Sequence, residues 1–121
     1  YAALQRAPGH LGRSKSAEMG AIEGVYWCMV DAAQAALITA GKLPPSPEHI
    51  PEMLNEAFVT TGMLKIDYVR AIRDIYNLHK GIAHGEISNI KGQDIDKWQE
   101  IAQRFLSEMT KIIDNIIEKR K

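Results

Sequence analysis

The chain has 121 residues, enough for one hydrophobic core and too few for two. At 45% hydrophobic and 25% charged residues its composition is that of a globular domain, which argues against disorder, and no apolar run is long enough for a bilayer helix. Fifteen basic residues balance fifteen acidic ones, so no global field draws in polyanions or an anionic membrane, and any nucleic-acid contact must come from a local stripe.

Residues 1–15 mix Pro8, Gly9 and Gly12 with Arg6, His10, Arg13 and Lys15, a pattern that predicts a flexible basic N-terminal arm. The chain opens without methionine and without a signal-peptide core, which reads as a trimmed piece. Residues 16–121 read as a single helical domain. A cap at Ser14 or Ser16 starts a first helix, with Ile22, Val25, Tyr26, Met29, Ala33, Ala36 and Leu37 at helical spacing, and Gly41 stops it. Glu18, Glu23, Asp31 and Gln34 within that stretch are too costly for a membrane span and place it in a protein core. The single cysteine, Cys28, falls in this pattern; it has no disulfide partner and fits a reducing cytoplasm.

After a stiff connector at Pro44, Pro45 and Pro47, a short second helix is predicted from about Ile50 to Val59, with Pro51 in its first turn and Gly62 beyond its end. Tyr68, Ile72, Ile75, Leu78 and Ile82 mark a third helix from about Lys65 to His84 or Gly85. Gly85, Asn89 and Gly92 punctuate a loop, and Asp94 is the expected cap of a last helix carrying Ile95, Trp98, Ile101, Ala102, Phe105, Met109, Ile112, Ile113 and Ile116. No strand-like alternation competes. The predicted fold is all-α, an antiparallel up-down bundle of four to five helices. A bundle of this size is expected to pair as a homodimer, burying leftover apolar surface such as Met63 and Leu64 or part of the last helix.

The densest polar constellation is Arg70, Arg73, Asn77, His79, Lys80 and His84. At about 100° per residue, Arg73 and His84 fall within roughly 20° of each other, with Asn77 and Lys80 within about 40° of both. His79 falls about 140° from His84, on the side of Ile72 and Ile75, and should face the bundle. Arg70, Asn77 and Lys80 read as a phosphate-holding strip, with Arg73 and His84, and His79 as a second proton carrier, as the candidate catalytic set. Such residues suffice for RNA cleavage without metal or other cofactor: histidine moves a proton at the ribose 2′-hydroxyl or the leaving oxygen, while guanidinium offsets charge building on phosphorus. The plainer alternatives are a solvated helix face for the charges and a satisfied core histidine for His79. Zinc held by His79 and His84 is a poor fit, because a spacing of five turns the rings to different faces, and a phosphotransfer role for His84 has no identifying neighbour.

The segments GVYWCMVDAAQAALITAGKLPPSPEHI, LNEAFVTTGML and RDIYNLHKGIAHGE resemble the HEPN superfamily of small helical domains, in particular its UPF0332-like branch, over roughly residues 17–120. The characteristic element of that family is an arginine followed after four to six residues by a histidine, often with asparagine directly after the arginine. Arg73 and His79 fit it with five residues between them; a second match sets His84 at the histidine end and leaves His79 where arginine is expected and Lys80 where asparagine is. The resemblance implies a dimer whose motifs meet in a cleft. It implies either a metal-independent endoribonuclease of toxin or defence type, or a non-catalytic module that binds a nucleotide or partners a minimal nucleotidyltransferase. His49, after the proline loop, reads as structural.

Overall fold

The computed structural model describes residues 18–44, 46–87 and 90–120, with the side chains of residues 18 and 19 left aside. The basic arm, the Ser14 or Ser16 cap, and Asn89 of the expected loop lie outside that range. The described residues are helical with no strand: α1 spans Glu18–Thr39, α2 Ile50–Leu54, α3 Ile66–Ala83 and α4 Gly92–Arg120.

Helix α1 packs against α2, α3 and α4. Ala21, Ile22, Val25, Cys28, Met29, Ala32, Ala33, Ala36 and Leu37 are all buried, which leaves one narrow solvent-facing stripe through Gly20, Glu23, Trp27 and Ile38. The alanines make this possible, because small side chains let neighbouring helices close in from several sides. The buried Asp31 does not break the pattern: every buried side-chain nitrogen or oxygen among the described residues has a partner. Helix α3 buries Val69, Ile72 and Ile75, and α4 buries Ile95, Ala102, Phe105, Met109, Ile112 and Ile113, both at the three- and four-residue spacing of an apolar stripe.

The first two stops fall on the expected glycines. Gly41 has φ +80°, and the Lys42 and Gly41 amides close back on the Leu37 and Ile38 carbonyls, a Schellman ending that needs the left-handed residue. A 3-10 turn at Pro47–His49 leads into α2, with Pro51 in its first turn, where a missing amide is harmless. Helix α2 then widens into a π-helical turn, Asn55–Val59, closed by the Thr60 amide on the Asn55 carbonyl at 3.0 Å. The Thr60 and Thr61 hydroxyls donate to the Glu56 and Ala57 carbonyls, and Gly62, at φ +81°, turns the chain.

Two expectations are corrected. Leu64 is not leftover surface: it is 6% exposed and belongs to the core, because the Met63 and Leu64 amides both fold back onto the Phe58 carbonyl and turn the chain inward. The last helix does not start from an Asp94 cap. It begins at Gly92, and the Lys91 carbonyl takes the Asp94 and Ile95 amides, so Asp94 sits inside the first turn, where its charge complements the helix dipole.

Candidate functional site

Helix α3 and the His84 cap at its C-terminal end carry every residue of the candidate site. The helix ends at Ala83, with His84 as the flanking residue and Gly85 at φ +74°; the Glu86 and Gly85 amides close on the Gly81 and Ile82 carbonyls. Gly81 is buried beneath Ile87, which lies so close that a Cβ there would stand 2.7 Å from its Cδ1. That contact fixes the turn carrying His84.

Arg70, Arg73, Asn77, Lys80 and His84 are all exposed. Among the described residues no carboxylate pairs with Arg73 or Lys80, and Arg70 reaches Asp67 only at 4.0 Å. The strip is therefore an open cationic face. It is also long: eleven residues put Arg73 and His84 about 16 Å apart along the axis. Within one chain Arg73 and His84 are too far apart to hold a single phosphodiester between them.

The two ends have different surroundings. Arg70 and Arg73 line a cleft of about 340 Å³ between α2 and α3, opposite Glu52, Asn55 and Glu56, with Ile66 and Val69 on its floor. The π-helical turn helps place Asn55 and Glu56 there. Sequence reasoning missed this cleft, since nothing in the residue pattern signals a π turn. His84 sits at the opposite end, exposed beside Gly85.

His79 is not part of the strip. It lies about 120° round the helix from Arg73, half-buried, with its ring stacked flat on Tyr26 of α1, centroids 3.9 Å apart and planes 2° from parallel. Burial holds its pKa below the ordinary histidine value, and the Glu23 carboxylate pulls weakly the other way. Tyr26, itself buried, is held above the usual phenol range, by burial first and by Tyr76 second. Trp27 meets Tyr26 edge-on at 5.0 Å, and Tyr76 lies 6.4 Å from Tyr26. The inward direction of His79 was legible in the sequence. The aromatic cluster was not, because it joins residues more than fifty positions apart. Arg73 and His79, although at the family spacing, thus face different surfaces.

His49 is exposed and caps nothing with its side chain; it lies 3.3 Å from Glu48. Among the described residues no group of three or more His, Cys, Asp or Glu side chains is placed to hold a metal ion, and no helix is long and apolar enough to cross a membrane. The chain matches no family model, no curated protein and no solved structure.

Proposed function

We propose that the protein is a HEPN-like helical domain, an up-down-up bundle of long helices acting as a homodimer, that binds RNA along the exposed face of α3. The bundle reading is supported by two contacts: His79, late in α3, lies on Tyr26, early in α1, and Arg120 at the end of α4 donates to the Thr39 carbonyl at the end of α1. The observation that carries the RNA reading is the row Arg73, Asn77, Lys80 and His84, exposed and free of carboxylate partners among the described residues, in a chain whose net charge is zero. A neutral protein with an exposed row of cations that make no ion pair among the described residues is suited to a local polyanion contact.

In the catalytic form of this reading the domain is a metal-independent endoribonuclease of toxin or defence type. Because one chain separates Arg73 from His84 by about 16 Å, the phosphodiester is gripped where Arg73 of one copy meets His84 of the other. His84 takes the 2′-hydroxyl proton, the oxygen attacks phosphorus, and the 5′-oxygen leaves with a proton from water, since the second His84 stands at the symmetry-related site. The products are a 2′,3′-cyclic phosphate and a 5′-hydroxyl. His79 then positions the helix rather than carrying protons, since burial disfavours its charged form.

A second reading, a non-catalytic nucleotide- or protein-binding module partnering a minimal nucleotidyltransferase, is favoured by one observation. At the position where the resemblance also allows arginine stands His79, stacked and half-buried, with no guanidinium for a bidentate phosphate clamp. One experiment separates the two: purified protein is incubated with total RNA in EDTA, and binding and cleavage are scored for wild type, His84→Ala and Arg73→Ala. Cleavage lost in His84→Ala with the fold intact supports the nuclease. Binding weakened by Arg73→Ala without any cleavage supports the module, and absence of RNA binding by the wild type rejects the RNA reading.

A further inference from the structure

The surface changes character immediately beside the cationic strip. Going round α3 from Lys80, Tyr76 comes at about 40°, Ala83 at about 60° and His79 at about 100°. Ala83 is exposed and short, and Tyr76, half-buried with its ring 6.4 Å from Tyr26, is the large side chain between the strip and the α1 seam on this wheel, so the boundary is itself aromatic and uncharged. Across that seam stands Trp27, 37% exposed, on the stripe by which α1 meets solvent. Its ring is edge-on to Tyr26 at 5.0 Å and to His79 at 6.4 Å, each at 74°.

These neighbours hold the indole in one orientation, so a ligand stacking on it has little side-chain freedom left to remove. A charge row edged by aromatic rings is the arrangement that single-stranded nucleic acid uses: the backbone follows the cations, and unpaired bases stack on the rings. Glu23, one turn before Trp27 on the same exposed stripe, repels phosphates. The base side of a nucleotide suits this edge; the backbone suits the strip.

We infer that Trp27, buttressed by Tyr26 and His79, is a stacking platform for an unpaired base of an RNA strand whose backbone lies along Arg73, Asn77 and Lys80. The inference rests on the RNA-binding reading above. It adds a base-recognition element from α1 and specifies single-stranded RNA.

The test compares two polyanions, a labelled twelve-nucleotide adenosine RNA and inorganic polyphosphate, which offers charge without bases. Trp27→Ala is expected to weaken RNA binding on the order of ten-fold and to leave polyphosphate binding unchanged. Trp27→Phe recovers most of the loss, whereas Lys80→Ala weakens both probes. In a Trp98→Phe background, where Trp27 is the remaining indole, RNA quenches the fluorescence and polyphosphate does not. Unchanged RNA affinity in Trp27→Ala alongside a weakened Lys80→Ala overturns the platform and leaves the strip reading standing. A wild type that binds neither probe overturns both. Conversion of a dimer to a monomer by Trp27→Ala, read by sedimentation, assigns the ring to a contact between copies and likewise overturns the platform.

Discussion

Gly81 and Ile87 compete for one volume, which makes a two-residue cycle decisive. A methyl group at position 81 would stand 2.7 Å from Ile87 Cδ1 and 3.2 Å from Cγ1, against roughly 3.5–4.0 Å for relaxed carbon contacts. Gly81→Ala gains about 1 kcal/mol from helix propensity inside α3. Against this, overpacking costs about 1–3 kcal/mol, and the half-buried Ile87 can swing its tip aside, which favours the lower half of that range. The expected net effect is a destabilisation of about 0–1 kcal/mol. Ile87→Val removes the 2.7 Å contact and costs about 0.5–1.5 kcal/mol. In that background Gly81→Ala turns neutral or stabilising by up to about 1 kcal/mol, a coupling of about 1 kcal/mol. Urea unfolding of the four proteins measures it. Free energies that add to within about 0.5 kcal/mol would refute the packing of Ile87 over Gly81.

Two further outcomes follow from the same helix. Gly85→Ala meets no atom within 4 Å, so its effect is pure backbone strain at φ +74°: a loss of about 1 kcal/mol in urea unfolding, smaller for Gly85→Asn, and an unchanged midpoint would contradict the left-handed turn. His79 favours its neutral form in the folded protein, whereas the unfolded chain takes up a proton near pH 6.5; the unfolded state therefore binds more protons, and stability present above that pH is lost as pH falls through it. His79→Phe keeps a ring on Tyr26 without titrating, so the stability of wild type relative to this variant should decline from pH 7 to pH 5, and a difference that stays flat would count against the buried stack.

Much of the fold was legible because local signals agreed with one another. Gly41 and Gly62 ended helices where the apolar spacing ran out, and Ile72 and Ile75 marked the inner face of α3, although the buried residue of its first turn is Val69 and not the expected Tyr68. The strip was legible for the same reason: its residues share one helix, and one wheel fixes their relative directions. Features made between elements were hidden. The burial of Leu64 depends on two amides meeting the Phe58 carbonyl, and the Arg70 and Arg73 cleft depends on a π turn in a different helix. The Tyr26 and His79 stack depends on α3 lying along α1. The start of α4 was misplaced because Asp94 suits a cap and a first turn equally well, and only the hydrogen bonds to Lys91 distinguish them.

The encasement of α1 bears on how the molecule comes apart. Cys28, the one thiol in the sequence, is fully buried at its centre, and burial pushes its pKa up to about 12. Helix α1 is packed against α2, α3 and α4, so access to this sulfur reports loss of packing around the middle of α1 and not the fraying of a chain end. Where a thiol reagent is concentrated enough to outpace reclosing, the rate at which it labels Cys28 is the rate at which the packing around that sulfur opens.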